Sequence, residues 1–477
     1  MNYFFYDFET TGVDPRRDRP MQVAGLRTDA EFNPIGQPLA RYCRLADDVL
    51  PHPEACLITG LTPQRLAADG VSESELCGLL HAELAHPDTC AIGYNSIRFD
   101  DEFTRFSFFR NFLDPYAWAW QNGNSRWDLI DAARAFQAFR PEGLAWPQDE
   151  DGHPSFRLEA LAQANRLEHR HAHDALSDVT ATIGLARLLR QRNRKLFDVL
   201  FELRNKRVAQ QALDIDNHKP VAHVTRMFPA AQGCASLVMP VARHPVNPSS
   251  TLVFDLRVDP APYLDCDVDE LRRLAFSSKD ALNGEPRLPV KEIRANQAPV
   301  ILPAKIVTAE IAQRIALDLS AARRHYDTLR RRPDLFERLR ETWRQTEFAE
   351  AETAELALYD GFIPDADRNL MAQLRATRPE LLKPFEGRFQ DDRLNRMLLA
   401  FRARNFPDTL DPAERAQWAQ QRRRRLTEPN AGGAITLEHY RDQVTSRLAT
   451  TADDAARAIL TALLDYGETL SLSMAGA

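Results

Sequence analysis

Between Asp214 and Pro303 lie eleven of the chain's 30 prolines, about twice the density of the 477-residue whole. Proline fixes φ and lacks a backbone donor, so neither a long helix nor a central strand tolerates that spacing. The runs between the prolines are short and β-type, as in Ser236-Leu237-Val238-Met239 and Leu252-Val253-Phe254-Asp255. A small all-β barrel or sandwich is expected here. This segment divides the chain into three textures. Before it, to about residue 190, strand-like runs (Tyr3–Phe8, Met21–Arg27, Leu39–Leu45, Cys90–Tyr94) alternate with helical spacing (Glu73–His86, Phe99–Phe112), which indicates an α/β domain. After Ile306 the chain is rich in Ala, Arg, Leu and Glu and holds six glycines, so it reads as helical.

Composition excludes several classes. Lys and Arg total 61 against 68 Asp and Glu, a formal charge of −7, so any nucleic acid must be held by local patches and not by a basic coat. The apolar runs fall short of the ~18 residues of a membrane span. Met1 leads into Tyr3-Phe4-Phe5-Tyr6 without a basic region, which argues against a signal peptide. Cys43, Cys56, Cys77, Cys90, Cys234 and Cys266 are scattered and form no CxxC pair, as expected of thiols in a reducing compartment. A cytoplasmic protein is expected. The basic runs Arg187–Lys195 and Arg422–Arg425 read as solvated helix faces. No GxGxxG or GxxxxGK loop supports a nucleotide-binding enzyme.

Four carboxylates and one histidine carry the chemistry. Asp7 and Glu9 flank Phe8 at the end of the first strand, where residues i and i+2 face one side. Thr10-Thr11-Gly12 then turns away and exposes the strand's carboxyl end, the usual place for a site in an open sheet. Asp100 opens a helix after the turn at Asn95, although an acid there also suits a capping role. Leu176, Val179, Ile183, Ala186 and Leu189 mark a helix with Asp178 in its early turns. His173 can meet Asp178 if it sits on the loop leading into that helix. Gathered carboxylates repel one another unless a cation lies between them. Oxygen ligands without cysteine suit Mg²⁺ or Mn²⁺. Two such ions can stabilise both oxygens of a phosphodiester displacement, and a histidine can deprotonate the attacking water.

Asp7-Phe8-Glu9-Thr10, Asn95-x-x-x-Phe99-Asp100 and His173-x-x-x-x-Asp178 resemble, in order, the three motifs of the DEDDh exonucleases. Beyond them, Gly93-Tyr94-Asn95, Tyr116-Ala117-Trp118-Ala119-Trp120, Asn124–Leu129, Pro154–Glu159 and Arg402–Pro407 are similar to the bacterial exonuclease I family. The resemblance implies a ribonuclease H-like nuclease domain of mixed sheet and helices (1–190), an SH3-like β domain with following helices (195–345) and a helical C-terminal domain (350–477), together C-shaped. It implies a processive 3′→5′ exodeoxyribonuclease that degrades single-stranded DNA to 5′-mononucleotides in DNA repair and recombination. Carried over by residue, Asp7, Glu9, Asp100 and Asp178 hold two Mg²⁺ ions (Mn²⁺ may substitute), and His173 is the base. Glu9 and Arg157 touch the DNA end. The family often has Tyr where this chain has Phe8, so no hydroxyl acts there.

Phosphates need cations and bases need flat rings. Tyr116, Trp118 and Trp120 alternate, so an extended segment would align three rings, with Arg105, Arg126 and Arg134 around them. Burial in the core is the competing expectation, strongest for Trp118 and Trp127. The resemblance further implies a partner, the acidic tail of single-stranded-DNA-binding protein, met by Arg140 and Lys219, and a monomeric enzyme. The alternatives are an RNA-directed exonuclease of the same superfamily and a catalytically silent single-strand-binding scaffold.

Overall fold

The aromatic run at the N-terminus becomes the centre of a sheet. In the computed structural model, which describes residues 2–168, 174–344 and 350–475, β1 spans Asn2–Thr10. It lies between β2 (Pro20–Thr28), paired antiparallel, and β4 (Thr89–Gly93), paired parallel. With β3 (Leu39–Tyr42) and β5 (Ser125–Asp128) the order is β3-β2-β1-β4-β5. Phe4, Phe5, Tyr6 and Phe8 are all buried, because other elements pack on both faces of the sheet: Phe4, Tyr6 and Phe8 meet Leu76, Leu80 and Phe103 on one, and Phe5 meets Phe32 on the other. The expected mixed sheet with helices is therefore present. β3 is shorter than its apolar run, since the chain leaves the strand at Cys43 to bridge Val71. The parallel step from β1 to β4 needs a crossover. Part of it is the helix Glu73–Leu84, whose N-cap Ser72 accepts the Glu75 amide.

The proline-dense segment forms five antiparallel strands: β6 (Val221–Val224), β7 (Ala235–Arg243), β8 (Ser250–Asp255), β9 (Val290–Arg294) and β10 (Val300–Pro303), in the order β10-β6-β7-β8-β9. Two of its prolines sit where a missing donor is tolerated. Pro240 adjoins a bulge in β7, and Pro303 closes β10.

Two compact units emerge, residues 1–125, 170–180 and 349–477 in one, 126–169 and 181–348 in the other. In the first, the C-terminal helices complete the core of the N-terminal segment. Phe106, Phe109 and Phe112 pack with Leu358, Met371, Leu398 and Phe401, while Met21, Leu50 and Leu66 pack with Tyr440, Val444 and Leu463. A buried charge cluster joins the same parts. Glu355 pairs with Arg19 at 3.0 Å, Arg404 at 2.5 Å and Arg425 at 3.3 Å, and Asp48 with Arg404 and Arg425 at 2.7 and 3.2 Å. The expectation of a solvated Arg422–Arg425 run is corrected here. Arg422 and Arg425 are buried, at the helical spacing that points them inward toward Asp47, Asp48 and Glu355, while Arg423 and Arg424 stay exposed. Among the described residues, no helix is long and apolar enough to cross a membrane.

Burial pushes the Glu355 carboxyl upward, but Arg404, Arg425 and Arg19 together hold it well below the usual range. Its stabilisation is thus present above its ordinary pKa and lost as pH falls toward the depressed one. Glu355→Gln leaves three arginines short of an anion and is expected to cost about 3–5 kcal/mol. Calorimetric melting of both proteins between pH 3 and 8 checks this, with the gap narrowing toward acid.

Candidate active site

Every proposed carboxylate with a described position sits at the carboxyl end of β1 or on an element that returns to it. Asp7 and Glu9 point the same way from β1, and a bulge between Glu9 and Thr10 ends its regular pairing. Gly93 closes β4. A Cβ there would lie 2.5 Å from the Ser96 Cβ, so glycine permits the tight turn that follows. Asn95 takes φ +66°, and Asp100 opens the helix Asp100–Arg110. Asp100 is buried, and its Oδ1 accepts the Phe8 amide at 3.0 Å, which ties this helix start to β1. The neighbouring Asp101 instead accepts the Tyr6 hydroxyl at 2.7 Å. Asp178 comes from the helix Ala175–Arg192.

Three of these acids converge. Carboxylate oxygens of Asp7, Glu9 and Asp178 all lie within 4.8 Å of one another. Asp100 belongs to the same electrostatic cluster. Burial raises Asp7 well above the carboxylate range, and the charges of Asp100, Asp178, Glu9 and Asp174 add to it. Burial, then Asp178 and Asp174, push Glu9 up to about 8. The donors are all oxygen and mutually repelling, which fits a hard divalent cation. His173 lies outside the described residues. Asp174 is a member of the cluster that motif spacing did not single out. Its position beside His173 was the available signal, but only folding brings its charge near Asp7 and Glu9.

The residues expected to touch DNA divide. Arg157 precedes the helix Leu158–Ala164, and its side chain is 76% exposed, with Glu159 at 3.7 Å. Trp120 is 65% exposed. The alignment of three rings is corrected: 116–123 is not extended but makes two short 3-10 turns. Trp118 is buried, its indole N–H donating to the Pro115 carbonyl, and Tyr116 is half-buried under the Arg105 guanidinium. Trp127 is buried, as expected, against Phe197 and Phe201. Arg105 binds Glu102 and Tyr359, and Arg134 binds Asp131 and lies over Phe156. Arg126 donates to the Asn296 carbonyl. Arg140 and Lys219 are exposed.

Residues 4–186 match the family described as Exonuclease, 204–345 the Exonuclease I SH3-like domain and 352–470 the Exonuclease I C-terminal domain. The exodeoxyribonuclease I of Escherichia coli K12 is 42% identical over 468 residues, covering 98% of this chain and 97% of that one. The chain belongs to the exonuclease I family. It is accordingly an exodeoxyribonuclease. A solved exonuclease I from Methylocaldum szegediense, described as moderately thermophilic, superposes with a TM-score of 0.94 at 45% identity, covering 98% and 99% of the two chains. The zinc-bound complex of E. coli exonuclease I with single-stranded DNA gives 0.93 at 42% identity, over the same shares.

With Glu9 near 8 against an ordinary 4.5, the cation-free folded protein keeps a proton that the unfolded chain releases between these values. Its stability from this group therefore falls as pH rises through that window. A divalent cation relieves the repulsion but must displace the proton at lower pH. Scanning calorimetry is expected to show a larger cation-induced rise in Tm at about pH 8.5 than at about pH 6.

Proposed function

We propose that the chain degrades single-stranded DNA processively from its 3′ end, releasing 5′-mononucleotides by cation-assisted hydrolysis. The observation that carries this reading is the approach of Asp7, Glu9 and Asp178 within 4.8 Å, from segments about 170 residues apart. Two Mg²⁺ ions held by Asp7, Glu9, Asp100 and Asp178, with Mn²⁺ able to substitute, would supply Lewis-acid stabilisation of the attacking and leaving oxygens. Burial and crowding of these carboxylates keep the site poised for positive charge and resist its closing empty. His173 takes the proton of the attacking water on an imidazole nitrogen, the usual role of a histidine as general base. Glu9 contacts the terminal nucleotide, and the exposed guanidinium of Arg157 suits phosphate oxygens of the DNA. Trp120 offers an exposed ring to a base. Arg105, Tyr116 and Arg134, each already held by protein partners, are proposed as further contacts to the strand.

The enzyme is proposed to work as a cytoplasmic monomer in DNA repair and recombination. Five of its six cysteines are buried and all six are free, consistent with a reducing compartment. Arg140 and Lys219, both exposed, are proposed to receive the acidic tail of single-stranded-DNA-binding protein.

His173→Ala is expected to lower the release of mononucleotides by a factor of roughly 10²–10⁴ while DNA affinity persists. End-labelled DNA and matched RNA oligomers, assayed with Mg²⁺, read both the direction and the sugar preference. Wild-type rates in this variant remove His173 from the mechanism. An Arg140→Ala, Lys219→Ala double variant is expected to bind a tail peptide about tenfold or more weakly, since each charge-assisted bond contributes roughly 1.5–3 kcal/mol. Fluorescence anisotropy measures that affinity.

A further inference from the structure

Gln22 lies on β2 directly opposite Glu9 in the antiparallel ladder, so the two side chains share a face of the sheet. It is 5% exposed, an unusual place for a glutamine. Its Nε2 donates to Asp174 Oδ1 at 3.0 Å. Asp174 stands just before the helix Ala175–Arg192, and its carbonyl accepts the amides of Ser177 at 2.8 Å and Asp178 at 3.1 Å. One residue thus links a strand side chain to the backbone that bears Asp178.

We propose that Gln22 is a positioning residue that anchors Asp174 and thereby fixes the first turn of the Asp178 helix against Asp7 and Glu9. The proposal rests on the reading of those three acids as one cation site. A side-chain amide suits this place for a definite reason. It supplies the donor that Asp174 requires, whereas an apolar residue leaves that carboxylate short of a partner and an acid adds charge where anions already crowd. β2 carries none of the five proposed catalytic residues, yet through Gln22 it sets the geometry of one of them. In sites of this kind the residues behind the ligands orient them, and losing one weakens metal affinity or activity by about 10–100-fold.

Three variants test the assignment. Gln22→Met keeps the length and removes the donor. Gln22→Glu replaces the donor with a charge. Gln22→Glu combined with Asp174→Asn restores one hydrogen bond, with donor and acceptor exchanged and the total charge unchanged. On the cation-free protein, native-state hydrogen exchange at the Ser177 and Asp178 amides is expected to quicken about tenfold or more in both single variants. It should return toward the wild-type rate in the double variant. Calorimetric Mn²⁺ affinity is expected to fall by roughly 10–100-fold in the single variants and recover in the double one. Wild-type exchange and affinity in a folded Gln22→Met overturn the proposal. A double variant no better than Gln22→Glu overturns it equally, and that comparison decides should Gln22→Met fail to fold. If the wild type takes up Mn²⁺ no more tightly than Asp178→Asn, the cation-site reading fails instead, while the exchange rates still judge Gln22.

Discussion

Repulsion among crowded, partly buried carboxylates is the constraint around which the first compact unit is arranged. Asp7, Glu9 and Asp178 meet within 4.8 Å, with Asp100 and Asp174 close enough to raise the pKa of Asp7 further. Such an arrangement opposes folding unless protons or cations neutralise it. Two members of the cluster and one neighbouring acid are held from outside it. Backbone and uncharged groups do this: the Phe8 amide for Asp100, the Tyr6 hydroxyl for the adjoining Asp101, and the Gln22 amide for Asp174. All three donors come from β1 or β2, so the sheet is the rigid frame and the helices are fastened to it.

A second ionic cluster works in the opposite sense. Glu355 and Asp48 are buried among Arg19, Arg404 and Arg425, and there the signs alternate. Arg19 also belongs to the loop that leaves β1. Its amide donates to the Thr11 hydroxyl at 2.9 Å, and its carbonyl accepts the Thr11 amide at 2.9 Å. The turn just beyond Glu9 is thus held by the same arginine that pairs with the C-terminal Glu355. Buried pairs of this kind add little net stability over apolar packing but strongly penalise alternatives that separate them. Their contribution is to fix where the C-terminal helices meet the loop beside the site.

Much of this was legible along the chain. The aromatic strand ending in Asp7 and Glu9, the helix opened by Asp100 and the helix holding Asp178 follow from period and end signals. So does the sheet built from the proline-broken segment. The readings that failed concern side-chain destination. Tyr116, Trp118 and Trp120 alternate in sequence, but the segment curls into 3-10 turns, and alternation has meaning only on an extended backbone. Arg422 and Arg425 resembled solvent charges, because the acids that draw them inward, Asp47, Asp48 and Glu355, lie far away in the sequence.

The order and type of residues determined which elements form and which chemical groups are available, since helix and strand periods and the identity of each side chain are local properties. Which groups become neighbours was decided by tertiary structure alone. Gln22 and Asp174, 152 positions apart, meet because β2 pairs with β1 while the Asp178 helix returns to the same edge. Distances of a few ångströms between remote segments depend on the whole path of the chain between them, and no short stretch of sequence encodes that path.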